Sequence, residues 1–385
     1  MTTADPPLAG LLVVDLSQFL SGPYCTLRLA DLGARVIKVE RPDGGDLTRR
    51  LYLSDTDLGG DSTLFHAINR GKESLALDLK NKEDVARLHR LVARADVVVQ
   101  NFRPGVAEKL GMDAATLRAI NARLIVGSVS GWGAPGEWHA RPGQDLLAQA
   151  RSGLMWLTGD RDDGPVPMGL AVADILAGAG LVQGILAALV RRGVTGRGGT
   201  VETSLLEALL DLQFEVLATH LNDGGRLPRR AAARGAHAYL AAPYGVYRAT
   251  DGWIALAMSP LPRLGDLLGL AENPDWDPTA DGFTCRDRLN DVLAARIATA
   301  SVAEWLAILE PADIWCAEVL DWPRLMQTAN FRALDMVQDL VRDDGLFLRT
   351  LRAPLRFDGA RPAGNGRPAP AIGADGERLR AEFDL

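Results

Sequence analysis

The first 130 residues alternate short apolar segments with segments of helical periodicity, and this alternation limits the chain to few folds. Leu11–Leu16 and Val36–Glu40 are the first two apolar segments, and both have the length of a buried strand. Strands that alternate with helices form a mostly parallel sheet with helices packed on it. The sequence therefore predicts an α/β fold with a Rossmann-like large domain, while the spacing leaves the strand order open.

The remaining sequence predicts a second domain and a C-terminal segment. Helical, Ala- and Leu-rich sequence extends from about Gly143 to Leu221 and is interrupted at Gly193–Gly199. Arginines and glycines at 224–234 indicate an exposed linker, which strand patterns follow. The expected domains are a large Rossmann-like domain at 1–222, a linker and small α+β domain at 223–325, and a C-terminal segment at 326–385 that returns to the large domain.

Composition argues against several partners and locations. The net charge of -7 works against nucleic-acid binding. No apolar run reaches the ~18–20 residues that span a bilayer, and the longest candidate, Ile175–Val190, contains Gln183. The first residues lack the basic and apolar regions of a signal peptide, and the three cysteines are too widely spaced for a disulfide framework. We therefore expect a cytoplasmic protein that binds neither nucleic acid nor membrane.

Common cofactor and catalytic motifs are absent from the sequence. It has no P-loop, no G-x-G-x-x-G after the first predicted strand, no H-E-x-x-H and no G-x-S-x-G. The five histidines are scattered, which predicts neither a metal site nor a histidine-based triad. A nicotinamide-dependent oxidoreductase, one alternative for a Rossmann-like sheet, lacks its glycine fingerprint. We expect no metal and no tightly bound cofactor.

Eight blocks of sequence carry a family signature when they are taken together. The blocks are Leu8–Leu16 with Gly22, Pro23, Leu32–Pro42, Gly45 and Asp46; Asn69–Lys72 with Ser74 and Leu77–Lys80; Ala95–Gly105 with Leu110 and Gly111; Ser130–Gly133; Pro142–Asp145; Val172–Asp174; Gly184–Leu189; and Thr195–Gly198. In this order and spacing they resemble the class III CoA-transferase family, which also includes the α-methylacyl-CoA racemases. The resemblance covers nearly the whole chain.

The resemblance implies an enzyme that moves CoA from an acyl-CoA donor to a carboxylic acid, through an aspartyl mixed anhydride and an aspartyl-CoA thioester. It identifies Asp174, which precedes a long Ala-rich helix, as the nucleophile. The helix dipole and free backbone N–H groups favour an ionised carboxylate at a helix start. Helix capping alone is the alternative interpretation of Asp174. The resemblance also implies an intertwined homodimer.

Asp145 and Gln144 separate two branches of this family. By resemblance, Asp145 is a secondary active-site group, and helix capping is an equally good explanation of it. The racemases carry His-Asp where this chain has Gln144 and Asp145. Because glutamine cannot exchange a proton at neutral pH, the sequence favours transfer over racemisation. A 2-methylacyl-CoA racemase or epimerase and a non-catalytic acyl-CoA-binding homologue remain as alternatives.

The resemblance also implies a set of CoA-binding residues. They are Leu20, Arg41, Leu77, Lys80, Asn101, Phe102, Lys109 and Leu110. CoA carries several phosphate charges and an adenine, so its site requires cations and flat apolar surfaces. Surface charges and, for Phe102, core packing are the alternative interpretations. Leu20 stands where oxalate-active members carry glutamine, which disfavours a formyl–oxalate pair; the sequence does not identify the acids.

Overall fold

The computed structural model describes residues 6–134, 136–362 and 366–385. Its strands are β1 (Leu12–Asp15), β2 (Arg35–Glu40), β3 (Asp57–Leu58), β4 (Asp61–Ser62), β5 (Lys72–Ala76), β6 (Val97–Gln100), β7 (Ile125–Ser130), β8 (Gly199–Ser204), β9 (Gly245–Arg248), β10 (Trp253–Leu256), β11 (Cys316–Glu318), β12 (Val337–Val341) and β13 (Phe347–Leu351).

Helices connect these strands. They are α1 (Ser21–Asp31), α2 (Thr63–Asn69), α3 (Lys82–Arg94), α4 (Val106–Leu110), α5 (Ala114–Ile120), α6 (Asp145–Ser152), α7 (Val172–Thr195), α8 (Leu205–Leu212), α9 (Phe214–Asn222), α10 (Leu261–Leu268), α11 (Arg286–Ile297), α12 (Val302–Leu309), α13 (Trp322–Gln327), α14 (Ala329–Leu334) and α15 (Gly376–Phe383).

The central sheet consists, within the described residues, of six parallel strands in the order β5-β2-β1-β6-β7-β8. Taken along the chain, these strands follow the 3-2-1-4-5-6 order of the Rossmann fold. The order reverses between β1 and β6, and open sheets of this kind bind ligands in the crevice outside the carboxyl ends of the strands at that point. The predicted α/β fold with a parallel sheet is confirmed.

The glycine-rich sequence at Gly193–Gly199 ends the long helix, as expected: α7 stops at Thr195, where Gly196 takes a left-handed conformation with φ 70°. One prediction around the last central strand is wrong. The strand that follows, β8, is absent from the expected set. It is an edge strand whose residues at 200 and 202 are exposed, so its sequence lacks the continuous apolar character of a buried parallel strand.

The chain forms two compact units. The described residues of the first lie within 1–148, 171–212 and 333–385; those of the second lie within 149–170 and 213–332. The first unit contains the central sheet, and Leu379 and Phe383 of α15 belong to its core. The second has a core around Tyr247 and Trp305, beside the antiparallel sheet β11-β10-β9. The expected domain boundaries stay a prediction, because compactness does not define an independently folding domain.

Helix α7 is long and apolar enough to cross a membrane by length and composition, as is the bent pair of α11 with the segment Val302–Ala312. The apolar run expected at Ile175–Val190 is part of this longer helix, and core helices meet the same criterion of length and composition. The buried residues of α7 recur at helical spacing: Ala173, Ala177, Leu181 and Ile185. This helix packs against α1, β7, β8 and α8. Burial along one face is typical of a helix that covers a sheet.

Buried charges are paired at the centre of the first unit. The Arg49 guanidinium lies fully buried 3.7 Å from the centroid of the Phe65 ring and donates to both carboxylate oxygens of Glu40, at 2.8 and 2.9 Å. It also donates to Asp61 at 2.6 Å. Burial disfavours the charged form of Glu40, but its contacts with Arg49 outweigh this and lower its pKa. Removing Arg49 would leave this carboxylate without its counter-charge.

We expect Arg49→Met to lower the free energy of unfolding by about 3–5 kcal/mol, because it leaves Glu40 buried and unpaired. Arg349→Met is the matched control, since Arg349 makes an equivalent two-oxygen pair with Asp339 on the surface. Exposed pairs contribute little to stability. Urea unfolding of both variants measures the difference, and equal losses of stability would contradict the account.

Candidate active site

The amino-terminal end of α1 meets α7 through a glycine. An added Cβ at Gly178 would lie 2.5 Å from the backbone oxygen of Ser21, so only glycine permits this approach. Asp174 precedes Gly178 by one helical turn and therefore lies on the same face of α7. The hydroxyl and the backbone N–H of Ser21 both act on the Asp174 carboxyl as hydrogen-bond donors. The contact places Asp174 of α7 beside the start of α1, the helix that follows β1, where the order of the strands in the sheet reverses.

Asp145 caps α7 from a different helix. Its Oδ1 accepts the backbone N–H of Ala173 at 2.7 Å and that of Asp174 at 3.3 Å. The N-cap residue of α7, Ala171, has no side chain to do this. Free N–H groups were expected to favour the ionised form of Asp174 directly, and this part of the prediction is wrong because Asp145 takes two of them. The capping role expected for Asp145 is present, but for α7.

The pKa of the Asp174 carboxyl is raised to about 6. Burial is the main cause and the negative charge of Asp145 is the second, while the hydroxyl and backbone N–H of Ser21 act in the opposite direction. At neutral pH the carboxylate is therefore ionised but poorly solvated. A carboxylate of this kind is more basic than one in water, which suits a nucleophile.

The other residues expected in the site lie in different environments. Arg41, Lys80, Lys109 and Gln144 are exposed; Leu20, Asn101, Phe102 and Leu110 are half-buried. Leu20, Arg41, Lys80, Asn101 and Phe102 all follow the carboxyl ends of central strands.

Two of the expected CoA contacts change character in the structure. Leu77 is 1% exposed and belongs to the hydrophobic core, and its N–H donates to the Glu40 carbonyl, so its side chain does not reach a ligand. The Asn101 amide exchanges two hydrogen bonds with the backbone of Gln18, at 2.9 and 2.7 Å. Phe102 and Leu110 pack against the same core from its edge.

The sequence interpretation missed Ser21 and Gly178. A small residue directly before Gly22 and Pro23, at the start of a helix after the first strand, is the signal that could have identified Ser21. Nothing in the sequence shows that Gly178 meets Ser21, because the contact joins residues far apart in the chain. Over the residues that the structure describes, no group of His, Cys, Asp and Glu side chains is arranged to hold a metal ion.

We expect Asp145→Asn to lower the pKa of Asp174 below about 6, because the variant removes a negative charge and keeps an oxygen to cap α7. Carbon-13 NMR titration of labelled aspartate, with Asp174→Asn to assign the resonance, measures it. Asp113→Asn is the matched control, since Asp113 caps α5 and accepts the N–H of Thr116. A pKa that rises or stays constant in Asp145→Asn would refute the electrostatic account.

Comparison with known proteins places this chain in a family. Residues 8–376 match the model of CoA-transferase family III. An acetyl-CoA:oxalate CoA-transferase from Acetobacter aceti is 34% identical over 99% of this chain and 97% of its own length. A succinate–glutarate CoA-transferase from Agrobacterium fabrum is 33% identical over 100% of this chain and 97% of its own.

Solved structures agree with these relatives. A CAIB/BAIF family protein from Brucella suis superimposes with a TM-score of 0.86, at 33% identity, over 99% of this chain and 100% of its own. Rv3272 from Mycobacterium tuberculosis superimposes with a TM-score of 0.81, at 28% identity, over 97% of this chain and 99% of its own. The chain belongs to CoA-transferase family III.

Proposed function

We propose that this protein transfers CoA from an acyl-CoA donor to a carboxylic acid, with Asp174 as the covalent nucleophile. The observation that carries the proposal is the half-buried Asp174 carboxyl, whose pKa is raised to about 6, beside the amino-terminal end of α1. Its family relatives are named as CoA-transferases that act on oxalate, on succinate and glutarate, and on mesaconate. Small dicarboxylic acids are therefore the first candidate substrates.

The first half of the reaction forms the covalent enzyme. A carboxylate oxygen of Asp174 attacks the thioester carbonyl, the C–S bond breaks, and CoA leaves as a thiolate. The product is a mixed anhydride of Asp174 and the acyl group. The thiolate then attacks the aspartyl carbonyl, which releases the donor acid and leaves an aspartyl-CoA thioester. Both steps are nucleophilic substitutions and need no oxidant or reductant.

The second half reverses these steps with the acceptor. The acceptor carboxylate attacks the aspartyl thioester, CoA thiolate leaves, and a new mixed anhydride forms. The thiolate attacks the acceptor's carbonyl carbon and regenerates the Asp174 carboxylate. Negative charge develops on the aspartyl carbonyl oxygen in the two steps that attack the aspartyl carbon, and on the substrate's acyl oxygen in the first and last steps. The N–H and hydroxyl of Ser21 are the donors that stabilise the charge on the aspartyl oxygen.

CoA itself binds along the carboxyl ends of the central strands under this proposal. Arg41 is exposed directly after β2, and its Nη2 makes one long hydrogen bond of 3.3 Å to the Gly45 carbonyl. Lys80 is exposed beyond β5 and Lys109 near the end of α4. These cations suit the phosphates, and Phe102 with Leu110 offers apolar surface at the edge of the core.

We also propose that the protein is a homodimer and cytoplasmic. Several large apolar side chains are well exposed in the single chain, and exposed apolar surface of this kind marks protein interfaces. They include Val190 (73%), Val194 (86%), Leu227 (83%) and Trp322 (77%). The free thiols of Cys25, Cys285 and Cys316 suit a reducing compartment. No tightly bound cofactor is required by the steps above.

We expect incubation with acyl-CoA donors to leave an acyl or CoA adduct on Asp174, which hydroxylamine removes. Intact-protein and peptide mass spectrometry of wild type and Asp174→Ala measures this, across acetyl-, succinyl- and glutaryl-CoA. Asp321→Ala, which removes an aspartate that caps α13, is the matched control and should keep the adduct.

Two outcomes of this experiment would overturn the proposal. Full transferase activity in Asp174→Ala would show that another group is the nucleophile. Binding of CoA thioesters without any adduct in wild type would favour a binding protein or a racemase, and α-proton exchange of a 2-methylacyl-CoA in deuterated water separates those two.

We expect Arg41→Ala to raise the KM for CoA thioesters about tenfold, the loss of one charge-assisted hydrogen bond to phosphate, with a smaller change in kcat. Arg50→Ala is the matched control, because Arg50 is exposed nine residues further on and donates to the Gly60 carbonyl. Steady-state kinetics with the preferred donor measures both. An unchanged KM in Arg41→Ala would remove Arg41 from the CoA site.

A further inference from the structure

The side chain of Asn101 binds both the N–H and the carbonyl group of Gln18. The Gln18 N–H donates to Oδ1 of Asn101 at 2.9 Å, and Nδ2 of Asn101 donates to the Gln18 carbonyl at 2.7 Å. Asn101 directly follows β6, and Gln18 lies in the turn after β1. The pair therefore spans the two strands between which the sheet order reverses.

Buried charges hold the residues on either side of Gln18. Nζ of Lys38 donates to the Ser17 carbonyl at 2.9 Å, and the Ser17 N–H donates to Asp15 at 2.9 Å. The Phe19 N–H donates to Oδ1 of Asp46 at 3.3 Å, and Oδ2 of Asp46 lies 2.7 Å from Nζ of Lys38. Five backbone groups in three consecutive residues are thus bound by side chains from other parts of the first unit.

Phe19 shows that these bonds determine the backbone. It has φ 63°, in the left-handed region that bulky residues rarely adopt, and its side chain is 49% exposed. Packing of its own ring therefore does not explain the conformation. Such backbone strain persists only where contacts with the surrounding structure enforce the conformation. Two residues later α1 begins at Ser21, and its N-cap residue, Leu20, contributes no side-chain cap.

We infer that Asn101 is a positioning residue, which fixes the turn at Gln18 so that the amino-terminal end of α1 faces Asp174. The inference rests on the role proposed for Asp174, and it replaces the CoA contact that family resemblance implied for the Asn101 side chain. The amide oxygen and one of the two Nδ2 hydrogens bind the Gln18 backbone, which fixes the orientation of the amide and leaves a ligand only the second hydrogen and one oxygen lone pair. Burial is the main cause of the raised Asp174 pKa, and the groups that act beside it are Asp145 from α6 and Ser21 from α1. Movement of α1 therefore changes the contribution of Ser21, which lowers this pKa, and leaves that of Asp145 in place.

The test is Asn101→Ala, with two measurements. We expect the pKa of Asp174 to rise by about one unit in carbon-13 NMR titration, because the stabilising donors of Ser21 move away. We expect the Kd for CoA from calorimetry to change less than about threefold, because no CoA contact is lost. Asn101→Ser, which can keep one of the two bonds, should give a smaller pKa shift and keeps the test open if Asn101→Ala fails to fold.

Asn121→Ala is the matched control. The Asn121 amide also donates to backbone carbonyls, including that of Ala95 at 2.8 Å, but it precedes β7 and so lies at the opposite end of the sheet. An unchanged Asp174 pKa in the Asn101 variants, or an equal shift in Asn121→Ala, would overturn the inference. If Asp174 is not the nucleophile, the wild-type protein will show no adduct on it. That result does not affect the NMR titration of the Asp174 carboxyl.

Discussion

The first unit depends most on the ion pairs and hydrogen bonds of one buried carboxylate, that of Asp15 at the end of β1. It accepts hydrogen bonds from Nζ of Lys72 at 2.9 Å and from the hydroxyl of Thr26 at 2.6 Å, and it also holds Ser17. Burial disfavours its charge, but Lys72 and Lys38 outweigh that cost and hold its pKa below the usual range. One carboxylate thereby joins β1, β5, the turn after β1 and α1.

This arrangement explains how the turn after β1 can orient a reactive group. A buried ion pair contributes little net stability, because desolvation of the charges offsets their attraction. It does make alternative arrangements of the turn costly, because each would leave a buried charge without its partner. The start of α1 is therefore fixed in space, and Asp174 meets Ser21 without having to order it during the reaction.

The sequence predicted the parts of the fold that follow from local pattern. The buried strands β1 and β2, expected at Leu11–Leu16 and Val36–Glu40, lie within a few residues of those bounds, because apolar runs are local signals. The edge strand β8 was missed because its exposed positions are polar. Within the sequence expected to be helical up to Leu221, α8 and α9 are two separate helices, and no proline or glycine marks their junction.

In the site, too, the sequence identified residues but not the contacts between them. Family resemblance pointed to Asp174, Asp145 and Asn101, but the relation between them is tertiary. That Asp145 caps α7, and that Asn101 binds the Gln18 backbone, depends on which strands are neighbours in the sheet. Spacing in the sequence contains no information on that order. The assignment of function therefore came from the ordered motifs, and the interpretation of individual roles came from the contacts.

The central claim is that Asp174 itself becomes covalently bonded, and oxygen-18 in the acceptor acid tests it most directly. When a labelled acceptor carboxylate attacks the aspartyl thioester and CoA is returned to its carbon, one acceptor oxygen stays on Asp174. After turnover, the peptide that contains Asp174 should carry oxygen-18, and the donor acid released in later turnovers should carry it too. Oxygen-18 in the released donor acid, with none on Asp174, would mean direct transfer between the two substrates and would contradict the account.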